Sequence, residues 1–233
     1  MLPPTDSEFD RYAASYGELD REPAREWFAG ADFFHKRKLD VLLPMLAALG
    51  RPAPTLDWLD FGCGQGHLLQ LGSGRFSSSA GCDVSQEMLS ACRGMDVRLQ
   101  TDPGAAPYPD ASFDLVTAVC VYHHVPPPDR PGLTREITRI LRPNGMFALI
   151  EHNPFNPMTQ LVVKRSPVDE NAILLTAGEA AGLLRSADLT ATPANYFLYV
   201  PAALFGLLGR VESLLKRVPL GGQYIQIGVK RGN

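Results

Sequence analysis

The segment LDWLDFGCGQG, Leu56 to Gly66, constrains this chain more than any other. Leu56–Phe61 is apolar enough for a buried central strand, and it leads straight into Gly62, Gly64 and Gly66. Glycine at such positions permits positive φ and lets backbone approach a ligand closely. A second strand-like run, Ser79–Asp83, ends in a carboxylate. A strand, a glycine turn, a helix and a strand ending in an acid together hold an adenosine ribose in α/β folds. Spacing bears on which adenosine cofactor is held. The dinucleotide fingerprint G-x-G-x-x-G requires glycine at position 67, and His67 stands there. A NAD-dependent oxidoreductase is therefore the disfavoured reading.

The remaining chain repeats the strand–helix alternation. Ser85 is placed to cap a helix through Met88, Leu89 and Cys92. Val97–Gln100 and Phe113–Val119 read as strands, Leu133, Ile137, Ile140 and Leu141 as one helical face, and Met146–Glu151 as a fifth strand. Such alternation predicts a doubly wound, mostly parallel sheet with helices on both faces. Before it, Leu39, Leu42, Leu43, Leu46 and Leu49 recur at helical spacing in a predicted helical cap over 1–50. Pro44 is expected to kink or break that helix, and Gly50 to end it. The cofactor domain is assigned to 51–233. Asn153–Val168, with three prolines, reads as a loop, and Thr176–Ala187 as a helix. Strand-like runs at Asn195–Val200 and Gln223–Lys230 flank an apolar helical insertion, Ala202–Val218.

Bulk properties narrow the class. A length of 233 residues suits one domain, and a net charge of -3 lacks the basic footprint of a nucleic-acid binder. No secretory leader or bilayer-length apolar run is evident, so a cytoplasmic protein is expected. Cys63, Cys82, Cys92 and Cys120 form no CxxC pairs; reduced thiols are expected, without a disulfide framework or a metal site.

Several pieces carry a family resemblance: DFGCGQG, GCDVSQEML, DPGAAPYPDASFD, VCVYHHV and EITRILRPNGMFALIE. In this order and at these spacings, over about residues 55–151, the chain resembles a class I S-adenosylmethionine-dependent methyltransferase of the small-molecule type. Its core is similar to that of ubiquinone and menaquinone biosynthesis methyltransferases. The N-terminal FDRYAASYGE resembles the leading segment of such enzymes. The resemblance implies a seven-stranded Rossmann-like methyltransferase fold with S-adenosylmethionine as cofactor. It further implies that Asp60, Gly62, Gly64 and Gly66 cradle the methionine portion, Asp83 the ribose, and Val84 and Met88 the adenine faces. Asp102 meets the adenine edge, Cys120 lies under the methionine arm, and Tyr12 and Tyr16 close over the cofactor. Pro103, after Asp102, offers no backbone N–H to the ring.

Because a sulfonium already activates its methyl group, the protein mainly has to align an acceptor in line and exclude water. A hydroxyl acceptor benefits from a base, and His152, His123 and His124 are the available imidazoles, with Glu151 beside them. His152 is the preferred base; hydrogen-bonded scaffold is the plainer role for the His123–His124 pair. Phe33, Phe34 and Phe155 are candidates to line an aromatic acceptor pocket, core packing being the alternative. Ala202–Val218 carries Arg210, Glu212, Lys216 and Arg217 toward one side. It suits a lid, a dimer face, or a peripheral membrane contact near a hydrophobic acceptor, with packing on the sheet or the N-terminal helices as the plainer alternative. The remaining rival is a non-catalytic relative acting as a partner or scaffold.

Overall fold

The computed structural model describes Asp10 and residues 31–232; Tyr12 and Tyr16, with most of the predicted cap, lie outside the described residues. The first helix, α1 (Ala31–Ala48), runs without interruption through Pro44. Pro44 is exposed, so its missing bond falls on the solvent side, where water can satisfy the freed carbonyl. Leu39, Leu42 and Leu46 form its buried stripe, while Leu49 is exposed. Gly50 at φ 74° closes the helix as the sequence predicts. Gly50 N–H donates to Ala47 O and Arg51 N–H to Leu46 O, the paired bonds of a left-handed helix end.

Strands β1 (Asp57–Phe61), β2 (Ser78–Asp83) and β3 (Asp96–Leu99) step outward in one direction, with α2 (His67–Gly72) and α3 (Gln86–Leu89) between them. β4 (Phe113–Val119) then returns to the far side of β1, followed by α4 (Arg130–Ile140) and β5 (Leu141–His152). These five strands are parallel. Strand order reverses between β1 and β4, and a crevice opens beyond their carboxyl ends. Ser85 caps α3 by accepting from Met88 N–H, but α3 stops at Leu89, short of Cys92. Leu141 is not on the helical face predicted for it: it begins β5, opposite Phe113.

The predicted loop over Asn153–Val168 contains a helix, α5 (Pro157–Arg165). Asn156 caps it by accepting from Thr159 N–H, and Pro157 occupies the first turn, where its missing N–H costs nothing. Past α5, α6 (Ala177–Ser186) carries a reciprocal cap between Thr176 and Glu179. Next come β6 (Leu189–Ala191), β7 (Asn195–Phe197), α7 (Ala202–Leu215) and β8 (Gln223–Lys230). β8 is antiparallel to β5, and β6 and β7 both pair with its other edge. Ala191 faces Gly228 and Asn195 faces Ile225, so the outer side carries one residue more than β8. Pro193 stands in that bulge. The seven strands expected thus become eight, because the last edge strand is broken in two.

Two buried clusters sandwich the sheet, one containing Phe113, Ile137, Phe147 and Tyr224, the other Leu42, Trp58, Leu115 and Ile225. Between β1 and β4, the indole N–H of Trp58 donates to Thr117 Oγ1 at 2.8 Å. That hydroxyl donates onward to Asp60 Oδ1 at 2.6 Å, at the mouth of the crevice. No helix among the described residues is long and apolar enough to cross a membrane.

Candidate functional site

The crevice is a cavity of about 1820 Å³ bounded by the ends of β1, β2, β4 and β5, by α1, and by the segment before α7. Single-ligand pockets are commonly about 300–1,000 Å³, so there is room for a cofactor and an acceptor together.

The glycine turn forms one wall. Gly62, Gly64 and Gly66 all adopt positive φ. A Cβ on Gly62 would meet Val121 at 2.5 Å, whereas one on Gly64 would meet nothing within 4 Å among the described residues. Gly64 therefore borders open space that a ligand can fill. Gly66 differs from its implied role: it does not line the cavity but caps α2, with Met95 and Cys92 packed against it.

Asp83 closes the same wall. Its Oδ2 accepts from Gly64 N–H at 2.8 Å and its Oδ1 from Ser85 N–H at 2.9 Å, which locks the glycine turn to the end of β2. Burial raises its pKa, and these backbone donors oppose the rise. Each oxygen keeps lone-pair capacity for a ligand hydroxyl. Burial pushes the carboxyl of Asp60 up to about 7, while Thr117 and Lys38 pull it down. Lys38, buried on α1, lines the cavity as well.

Val84, Met88 and Asp102 line the cavity. Asp102 is exposed and its Oδ1 accepts from Gly104 N–H at 2.8 Å, a turn contact that leaves Oδ2 for another partner. Cys120 follows β4 at φ 57°, a left-handed conformation unusual for a side chain with a Cβ, and burial raises its thiol pKa. Phe33 and Phe34 line the cavity; Phe155 does not, and its ring is exposed.

The opposite end is built from histidines. The turn Tyr122–His124 and the end of β5 bring His123, His124 and His152 together, with ring centroids 4.1 Å and 5.2 Å from His123 to the other two. Glu151 is fully buried. Its Oε2 lies 2.6 Å from His123 Nδ1 and its Oε1 accepts from Tyr122 N–H at 2.7 Å. Asp169, from the turn Pro167–Asp169, approaches His123 Nε2 at 3.3 Å and His124 Nε2 at 3.5 Å. Burial works against a charge on His123, yet the two carboxylates outweigh it and raise its pKa. His124 and His152 are pushed the other way, each to about 4, by burial and by the charge of His123. Both are neutral imidazoles at pH 7. His152 Nδ1 stands 3.4 Å from Gln223 Nε2, its antiparallel neighbour on β8. The other amide atom of Gln223, Oε1, is buried without a hydrogen-bond partner among the described residues, and Gln223 stands on the cavity wall.

Residues 59–149 match the family model described as a methyltransferase domain. The chain carries a methyltransferase domain. Among curated proteins, its sequence is 32% identical over 101 residues to 27-O-demethylrifamycin SV methyltransferase of Amycolatopsis mediterranei, covering 39% of this chain and 36% of that one. It is 31% identical over 157 residues to nocamycin O-methyltransferase of Saccharothrix syringae, covering 60% and 48%. The chain thus spans about a third to a half of the length of these relatives. The fold matches a crystal structure of a SAM-dependent methyltransferase from Archaeoglobus fulgidus with a TM-score of 0.67 and 17% identity. That match covers 94% of this chain and 100% of that one. The methyltransferase domain accounts for the glycine turn, Asp60, Asp83 and the β4 end. Its matched span includes His123 and His124 but stops before Glu151, His152, α5 and Asp169, so the histidine end of the cavity is completed by residues beyond that span.

Lys38, Asp169 and Gln223 were not evident in the sequence as site residues. Lys38 sits in the apolar helix pattern, Gln223 in a strand, and Asp169 just past the stretch read as loop. None has a neighbour in sequence that signals its role.

Proposed function

We propose that this protein transfers the methyl group of S-adenosylmethionine to a hydroxyl on a small, hydrophobic acceptor. One observation carries the reading. A single cavity joins a glycine turn locked to a ribose-ready carboxylate with a chamber walled by neutral imidazoles, and it is large enough for both reactants. The open space over Gly64, the lone pairs of Asp83 and the buried Asp60 fit the cofactor. Asp60 and Gly62–Gly64 would hold its methionine portion, Asp83 its ribose, and Val84, Met88 and Asp102 its adenine. When bound, the cofactor supplies an electrophilic methyl on a sulfonium.

The chain's own part is alignment, desolvation and proton handling. The orphan Oε1 of Gln223 calls for a donor, which a ligand hydroxyl provides. His152, whose Nδ1 accepts from the same amide over a long 3.4 Å contact, is the neighbouring group that can take the hydroxyl's proton at Nδ1 once that contact gives way. His123, held between Glu151 and Asp169, serves as scaffold. Two relatives whose names specify O-methyl positions support an oxygen acceptor.

Hydrophobicity of the acceptor is supported by α7. Phe205 packs on Phe33, and Glu212 is buried in an ion pair with Arg37 at 2.6 Å, so Glu212 does not share a side with Arg210 as the sequence suggested. What remains outward is Leu204, Leu207, Leu208, Val211 and Leu214, joined by Met158 and Leu161 of α5. Exposed charge on these two helices is all basic: Lys164, Arg165 and Arg210. Both helices adjoin the cavity, through Met158 and Pro201. An apolar, basic surface beside the opening suits a peripheral contact with an anionic bilayer that delivers the acceptor.

Calorimetry with S-adenosylhomocysteine and with NAD tests the cofactor; the former binds and the latter does not. Incubation of the enzyme with methyl-labelled S-adenosylmethionine and a lipid-soluble metabolite extract then yields a product heavier by one labelled methyl. NAD binding without S-adenosylhomocysteine binding overturns the cofactor, and cofactor binding without any labelled product favours the non-catalytic relative.

A further inference from the structure

We propose that His123, His124 and Asp169 form a site for a divalent transition-metal ion of the zinc type, open on one side to the acceptor chamber. Among the described residues these three offer ligand atoms that all lie within 4.8 Å of one another, and all three line the cavity. The purpose of such an ion rests on the methyl-transfer reading; its binding does not.

Glu151 orients the first of these ligands. Its carboxylate meets His123 Nδ1 at 2.6 Å, which places a hydrogen on that nitrogen and turns Nε2 toward Asp169. An imidazole whose far nitrogen donates to a buried carboxylate is oriented as metal-ligating histidines are, with its other lone pair free. That lone pair faces the carboxylate oxygen Asp169 Oδ1, and so does His124 Nε2. In the metal-free protein a proton on His123 Nε2 serves the contact with Asp169, and a metal ion would take the place of that proton.

Distance separates a metal ion from a proton. Charge-assisted N–H···O bonds run at about 2.7–2.9 Å. The contacts of Asp169 Oδ1 are 3.3 Å to His123 and 3.5 Å to His124, both long for hydrogen bonds. Ligand bonds of about 2.0–2.1 Å at angles between square and tetrahedral put two ligands of one ion roughly 3.0–3.4 Å apart. The gap to His123 falls within that range and the gap to His124 lies about 0.1 Å beyond it, and two imidazoles with one carboxylate suit zinc. Three protein ligands leave a coordination position for a small molecule, and the cavity lies on that side. The class of acceptor such a site takes is an oxygen donor, a hydroxyl or an enol.

Cobalt(II) is the probe, because it occupies zinc sites and reports ligation by its visible bands. Protein stripped with a chelator and titrated with cobalt chloride is expected to bind about one equivalent and develop the ligand-field bands of a four- or five-coordinate ion. His124→Ala and Asp169→Asn are expected to weaken binding tenfold or more and to abolish the bands. Zinc chloride should displace the colour from the native protein. Thermal melting and S-adenosylhomocysteine binding, measured on the same samples, identify any variant that fails to fold, and the other then decides. Absence of bands in the native protein, or bands unchanged in the folded variants, overturns the metal site. The cofactor titration stands apart from this result: its failure strikes the methyl-transfer reading, whereas loss of cobalt binding alone leaves that reading intact.

Discussion

Asp83 does two jobs with one carboxylate. It ties the glycine turn to β2 through Gly64 and Ser85, and it faces the cavity with lone pairs to spare. Asp83→Ala is expected to weaken S-adenosylhomocysteine binding by about 2 kcal/mol or more, the scale of a lost charge-assisted bond plus unpaired donors. Isothermal calorimetry reads it, and an unchanged affinity would place the ribose elsewhere. The glycines part company in the same way. Gly66→Ala forces a Cβ at φ 77° to within 2.7 Å of Met95 Sδ, so it should lower the melting temperature. Gly64→Ala meets no atom of the described residues within 4 Å; beyond its φ strain of roughly 1–2 kcal/mol, its Cβ occupies ligand space and should depress cofactor affinity. Equal effects of the two on affinity would contradict this division. Asp60 and Asp83 were legible in the sequence because each ends a strand beside a glycine motif. Lys38, Asp169 and Gln223 were not, since burial and convergence of distant segments make their chemistry.

At the scale of elements, strands and caps were legible where local signals agree with tertiary need, as at Ser85 and Gly50. Two departures have local causes. Pro44 reads as a breaker, yet it sits on the exposed side of α1, where the lost bond is cheap. The Asn156–Pro157 pair is a helix-start signal, but the surrounding prolines and weak periodicity masked the short helix α5. α7 is a third case: its apolarity was plain, and only packing against α1 shows which side is left outward. Leu207 and Leu214 are 81% and 82% exposed, so replacing them costs little core packing. Leu207→Asp with Leu214→Asp is expected to leave the melting temperature within a degree or two and to remove cosedimentation with phosphatidylglycerol vesicles. Native protein that ignores such vesicles would argue that this stripe serves contact between copies instead.

On the scale of the molecule, a site for a cationic cofactor places buried carboxylates in competition with folding. Asp60, with its carboxyl raised from an unfolded value near 3.8 to about 7, takes up a proton in the folded apo-protein that the unfolded chain does not hold. Where the folded state binds more protons, stability falls as pH rises. The window runs from about pH 4 to about pH 7, and the loss is on the order of a few kcal/mol. Asp60→Asn removes this penalty, so thermal midpoints at pH 8 should rise and their decline between pH 4 and pH 7 should flatten. Binding has the opposite sign. The methionine portion of S-adenosylhomocysteine presents an ammonium group, which favours the ionised carboxylate. Affinity should therefore increase as pH climbs toward 7, by up to tenfold per unit, and level off above it. Calorimetry in buffers of different ionisation enthalpy should detect proton release on binding below pH 7. Asp83, raised in the same direction, adds a term of the same sign, so the Asp60→Asn variant decides its share. If that variant keeps the native pH profile, the titration belongs to Asp83. If the native protein binds equally at pH 6 and pH 8, neither carboxylate is coupled to the ligand, and the cradle assigned to the end of β1 is wrong.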